Sequence, residues 1–299
     1  MTDAAATHRP AVRRAGWSPI ALWRRWKRPP VLPCLILVAV VVMALVPDLL
    51  APHDPFAQSL RTRFRPPVWQ EGGSWTFALG TDALGRDILS RVIHGARISL
   101  LAGIFSLIVG GAVGTTIGLV AGYFGGRVDT FLMRLADSVL SFPIILLAFL
   151  LAVTLGPSLV TVVVSVGAIL WARYARIIRG EVLAIRDRDF VKLARIAGCS
   201  DARILAVHIF PNVANTLIVL LTMQFGWVII VEASLSFLGA GIPPPTSAWG
   251  SMIADGRASL VRAWWVATLP GVALMLVVLS FNLIGDWLRD RLDPRLRQD

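Results

Sequence analysis

Long apolar runs separated by short basic segments dominate this chain. A hydrocarbon core about 30 Å thick takes roughly 20 residues of helix to cross. Six stretches are long enough and poor enough in charge to do so: residues 31–50, 99–122, 134–155, 159–178, 213–238 and 263–285. Apolar runs of this length, repeated six times, are not the pattern of buried helices in a water-soluble domain. They predict an all-α membrane protein with six transmembrane helices, since a helix satisfies its own backbone inside lipid. The organisation that follows is a tail at 1–30, a first helix at 31–50, an outer segment at 51–97, a five-helix core at 98–286 and a second tail at 287–299. Thirty residues precede the first apolar run and Ala44-Leu45-Val46 makes a poor cleavage site, so the first helix reads as an uncleaved span rather than a leader.

Three local patterns stand out between and within these runs. The outer segment is Pro-rich at first and turns amphipathic from Asp82: Ile88, Leu89, Val92, Ile93 and Ala96 recur at helical spacing, with Arg86, Asp87 and Arg91 on the other side. That predicts an interfacial helix lying on the outer leaflet. In the second span Gly110, Gly114, Gly118 and Gly122 fall on one helical face and invite the close approach of another backbone. The loop at 179–212 is polar and basic. Asp189 is placed to cap a helix through Ala197, with Phe190, Leu193, Ala194 and Ala197 on one face and Arg188, Lys192 and Arg195 on another. Gly198 fits a left-handed helix end, and Ser200 can cap a second short helix, with Asp201 in its first turn, that runs to Pro211.

Composition agrees that lipid is the main solvent: 56% of residues are apolar and 16% charged, with a mean hydropathy of +0.71. The net charge of +11 suggests nucleic acid only until its distribution is seen, because the basic residues sit between apolar runs without interleaved aromatics. They read as neighbours of anionic headgroups. Counted by segment, Lys and Arg number 21 if the tails and the loops at 123–134 and 173–211 are on one side, against eight on the other. The positive-inside rule then puts both termini in the cytoplasm. Cys34 and Cys199 offer neither a disulfide framework nor metal-ligand spacing. The only lysines, Lys27 and Lys192, do not follow a phosphate-binding Gly-rich loop, so this chain is expected to hold no cofactor.

The 179–212 loop resembles the EAA coupling loop of ABC importer permeases: Glu-Ala-Ala, three residues, Gly, then nine residues before Ile-x-Leu-Pro. The frame fits at Ala194, Gly198 and Pro211, whereas Lys192 and Leu193 stand for Glu-Ala, and His208 and Phe210 for Ile and Leu. Further stretches resemble the C-type permeases of dipeptide and oligopeptide importers: Leu79-Gly80-Thr81-Asp82-Ala83-Leu84-Gly85-Arg86-Asp87, Gly95-Ala96-Arg97, Gly122-Tyr123-Phe124-Gly125-Gly126, Glu232-Ala233-Ser234-Leu235-Ser236-Phe237-Leu238-Gly239, Trp249-Gly250, Phe281-Asn282-Leu283-Ile284-Gly285-Asp286 and Leu292-Asp293-Pro294-Arg295. The resemblance implies a type I importer permease fold (MetI-like) in the bacterial inner membrane. The partners it implies are a second homologous permease, two ABC ATPase subunits that bind the ATP and magnesium, and a periplasmic solute-binding protein. It places ATPase coupling on Lys192, Ala194, Arg195, Gly198, Asp201 and Pro211. The solute stays open among di- and oligopeptides, glutathione-like thiols and nickel chelates.

Two other classes of membrane protein fit the sequence less well. A secondary transporter needs intramembrane carboxylates or internal repeats to bind coupling ions; Glu232 stands in the fifth span but no repeat is visible. Glu232 and nearby Ser234 are therefore candidates for the translocation pathway, the alternative for Glu232 being a local cap on the turn at Ser234 or Ser236. A membrane-embedded enzyme would need a catalytic constellation, and none is visible in the sequence.

Overall fold

The computed structural model describes residues 29–292, so nearly all of the first predicted tail, the part of the second beyond Leu292, both termini and the matched stretch beyond Leu292 lie outside the described residues, while residues 287–292 of the predicted second tail continue the last helix. Those residues form a helical bundle with no strand, only an isolated bridge between Thr81 and Asp87. The first apolar run is α1, Val31–Leu45, followed by a short α2, Pro47–Leu50. Val46 breaks the helix at φ −128°, ψ 52° because Pro47 disfavours the helical region for the residue before it.

The second run lies in α3, Ile88–Phe124, whose 37 residues extend about 55 Å. The amphipathic stretch at 88–97 is the first part of this same helix, not a separate helix on the leaflet. Its charged side is turned inward: Arg91 is 2% exposed and Asp87 2%. Periodicity read these residues as solvent-facing because it cannot show that Asp82 and Asp255 come from elsewhere to meet the arginines.

The third predicted span, 134–155, is not one straight helix. It divides into α4, Gly126–Ser141, and α5, Ile144–Leu155, bent by 91°. Phe142 is extended ahead of Pro143, which ends α4 and sets the corner. The chain continues through α6, Leu159–Ile185, capped by Ser158; α7, Asp189–Ile196; α8, Asp201–Phe237; α9, Trp249–Arg257; and α10, Trp265–Leu292. Among the described residues four helices, α3, α6, α8 and α10, are long and apolar enough to cross a membrane, and the bent α4–α5 pair makes a fifth if it counts as one span. The 15-residue α1 is a shorter apolar helix beside them.

Backbone contact between α3 and α6 organises the bundle. A Cβ built on Gly110 would lie 2.5 Å from the Leu170 Cβ, on Gly114 2.4 Å from the Trp171 carbonyl oxygen, on Gly118 2.7 Å from that of Ala175, and on Gly122 2.7 Å from the Val182 Cβ. Lipid tails are as apolar as leucine, so association of these helices depends on such close packing and not on expulsion from water. On the other flank Phe225 of α8 stacks on Phe281 of α10 at 3.9 Å between centroids.

Candidate functional site

At one end of the bundle α7 forms a short rigid knob. Its Schellman ending is complete: Cys199 N donates to the Ala194 carbonyl at 3.1 Å, Gly198 N donates to that of Arg195 at 3.1 Å, and Gly198 takes φ +78°. Ser200 then accepts from Arg203 N at 3.4 Å and opens α8. Asp189 is not the cap; it is the first helical residue, where its charge complements the helix dipole. The predicted second short helix does not stop at Pro211. A π-helical stretch at Ile204–Ile209 leads straight into the span. The widened ladder there, with Phe210 N bonded to the Leu205 carbonyl, accommodates a proline that brings no N–H.

The two faces of α7 divide differently from the sequence reading. Val191 at 1% and Ala194 at 8% exposure pack inward with Val182, Ile185, Ile204 and Ile209. Phe190, Leu193 and Ile196, at 37%, 64% and 82%, point out. Ala194 thus belongs to the internal seam, and Ile196, absent from the sequence-based face, is the most exposed apolar side chain of α7. Helical spacing alone could have grouped Phe190, Leu193 and Ala197 with Ile196.

Side chains fasten this knob to the spans. Tyr123, at the end of α3, donates to Asp201 at 2.6 Å and accepts from Arg195 Nη2 at 3.2 Å. That second bond raises the Arg195 pKa above its ordinary value. Arg186 donates to the Gly122 carbonyl at 2.9 Å. Of the six predicted coupling residues, Arg195 and Asp201 meet at Tyr123, Ala194 lies in the seam, Gly198 and Pro211 shape the backbone, and Lys192 is exposed 3.8 Å from Asp189. Tyr123 was legible only as part of a motif, with no indication that it reaches across to the loop.

The opposite end holds a buried ion network that the sequence left unassembled. The Asp82 carboxylate accepts from Arg86 Nε at 2.7 Å and from Arg91 Nη1 at 2.6 Å, and Asp255 of α9 stands 3.5 Å from both guanidinium groups. Arg91 also donates to Ser247 at 3.2 Å. Trp249 and Trp265 pin the same region by donating from their indoles to the carbonyls of Val92 at 3.0 Å and Thr81 at 3.1 Å. Glu232, also near this end, is fully buried and accepts from Ser236 at 2.9 Å, one turn on. Ser234 turns back to the Ile230 carbonyl at 2.7 Å. The structure therefore does not bring Glu232 and Ser234 together at an open surface of this chain.

The bundle thus carries a knob fastened to its spans at one end and a tightly folded cap at the other. Residues 114–298 match the family described as the binding-protein-dependent transport system inner membrane component. The chain is 43% identical over 263 residues to the di/tripeptide transport system permease protein DppC of Pseudomonas aeruginosa, covering 88% of this chain and 87% of that one. It is 39% identical to the dipeptide transport system permease protein DppC of Haemophilus influenzae, covering 88% and 90%. It is 41% identical to the glutathione transport system permease protein GsiD of Pectobacterium atrosepticum, covering 92% and 90%. With a matched domain over more than half its length and relatives aligned almost end to end, the chain belongs to the inner-membrane permeases of binding-protein-dependent transport systems.

Proposed function

We propose that this chain is one of two homologous permease subunits of an ATP-driven ABC importer for short peptides, with α7 as the element that docks on an ATPase partner. The observation that carries the reading is the division of α7. One face is sealed against the spans, while the other offers three apolar side chains to the aqueous phase. Exposed apolar clusters mark protein or membrane contacts, and this one lies on the loop that resembles the coupling loop of ABC importer permeases. Tyr123, Arg186 and the unbroken run from Asp201 into α8 attach the knob to α3, α6 and α8. A displacement of the knob therefore moves spans instead of being lost in a flexible loop.

The ATP and magnesium would belong to two ATPase subunits on the cytoplasmic side, and a periplasmic binding protein would deliver the solute at the opposite end. Two relatives are named for dipeptides or di/tripeptides and one for glutathione, itself a tripeptide, so a short peptide is the common chemistry. The test is co-purification of the assembled importer. Leu193→Asp with Ile196→Asp should leave the permease in the membrane, since neither side chain is packed, yet strip it of ATPase and abolish uptake. Arg203→Gln, exposed and off the knob, is the control. ATPase retained at wild-type stoichiometry together with normal uptake by the double variant would falsify the docking role.

A further inference from the structure

Helix α4 has a feature that neither ATPase docking nor the solute path uses. It lies at 91° to α5, against the end of α6 that leads into the α7 knob. With α5 directed through the bilayer, a helix bent 91° from it runs along the membrane surface. Its acids are paired with α6: Asp129, turned inward, with Arg179, including an Nη2–Oδ2 contact of 2.6 Å, and Asp137, at the exposed surface, with Arg176. Its hydroxyls are satisfied within the helix, Thr130 donating to the Gly126 carbonyl at 3.0 Å and Ser138 to that of Arg134 at 2.9 Å. Neither group calls for a further protein partner.

Two things on α4 remain unanswered. Val128, Phe131 and Leu135, with Phe142 at the corner, form an exposed apolar stripe, Phe131 at 69%. Arg127 and Arg134 stand beside the stripe, exposed and without an acid within ion-pair distance among the described residues. An apolar stripe flanked by unpaired arginines, held in the membrane plane, matches a leaflet of anionic lipid: acyl chains for the stripe and phosphates for the guanidinium groups.

We infer that α4 is an in-plane lipid-binding helix of the inner leaflet, with Val128, Phe131, Leu135 and Phe142 inserted among acyl chains and Arg127 and Arg134 bound to anionic phospholipid phosphates. Because Asp129 and Asp137 tie α4 to α6, lipid held there steadies the span that leads to the knob. The inference rests on the reading that the α7 side faces the cytoplasm.

The test uses the assembled importer, with both native cysteines replaced, in nanodiscs of phosphatidylethanolamine with or without phosphatidylglycerol. Bimane attached at Phe131→Cys and Leu135→Cys should be quenched by lipids carrying a nitroxide high on the acyl chain, whereas bimane at Thr130→Cys should be quenched by aqueous iodide. If Phe131→Cys and Leu135→Cys escape lipid quenching while Leu150→Cys on α5 does not, a protein subunit covers the stripe and the inference is wrong. Native mass spectrometry supplies the second arm. Arg127→Gln and Arg134→Gln should each lower phosphatidylglycerol retention about fivefold and leave phosphatidylethanolamine unchanged; unaltered retention overturns the phosphate assignment. A third measurement separates failure of the orientation. Arg203→Cys, exposed and off the docked knob, should react with an impermeant maleimide in inverted vesicles and not in intact spheroplasts, and the reverse result refutes the sidedness whatever the quenching shows.

Discussion

Removing the charge at Asp82 is the sharpest perturbation of the cap opposite the knob. Its carboxylate accepts four hydrogen bonds, from Leu84 N at 2.8 Å, Arg86 N at 3.0 Å, Arg86 Nε at 2.7 Å and Arg91 Nη1 at 2.6 Å. Asp82→Asn preserves the shape but leaves two guanidinium groups, 8% and 2% exposed, facing an amide that is itself a donor. Breaking a buried ion pair from one side costs about 3–5 kcal/mol. Asp255 offsets little of this, because it stands 3.5 Å from each arginine and its side chain is 45% exposed, where water weakens the attraction. For a chain of this size the loss lowers the midpoint of thermal inactivation by roughly 5–15 °C. The assay is the fraction of detergent-solubilised importer still monodisperse after heating through a temperature series. A second variant isolates the cause: adding Arg91→Met to Asp82→Asn removes one stranded charge and should recover part of the lost midpoint, although it deletes another native contact. A midpoint for Asp82→Asn within about 2 °C of wild type, or a double variant weaker than the single one, refutes the reasoning.

Four further outcomes are expected. Gly114→Val places a side chain against the Trp171 carbonyl and should cost at least the upper part of the about 1–3 kcal/mol typical of overpacking, read as loss of folded protein in detergent, whereas Gly180→Ala, with nothing within 4 Å, should be neutral or stabilising. Gly198→Ala has space but sits at φ +78°, so it should cost roughly 1 kcal/mol and reduce coupling more than stability, measured as transport per ATP hydrolysed. Tyr123→Phe loses the bonds to Asp201 and Arg195, about 1 kcal/mol, and should keep the ATPase bound while blunting the stimulation of hydrolysis by loaded binding protein. Glu232→Gln retains an acceptor for Ser236 in a sealed site and should assemble and transport as wild type; normal assembly with lost transport would put Glu232 on the solute path.

Much of this protein is written in its linear pattern. Apolar runs near 20 residues admit only helices in lipid, so the class of fold, four of the long helices and the glycine face of α3 follow from local composition and spacing. Gly198 and Ser200 act within a few residues of themselves, and their roles at the knob were legible for that reason. Hydropathy could not register the corner at Pro143, because an apolar sum over 134–155 is blind to helix direction. It also could not tell which side of an amphipathic helix meets protein. Arg91 looks solvated until the turn before the helix brings Asp82 back to it and Asp255 arrives from a distant position, and Ala194 looks like a docking residue until Ile204 and Ile209 cover it. A charge or a methyl group is assigned to water, lipid or core by what stands opposite, and that is decided only when the chain has folded.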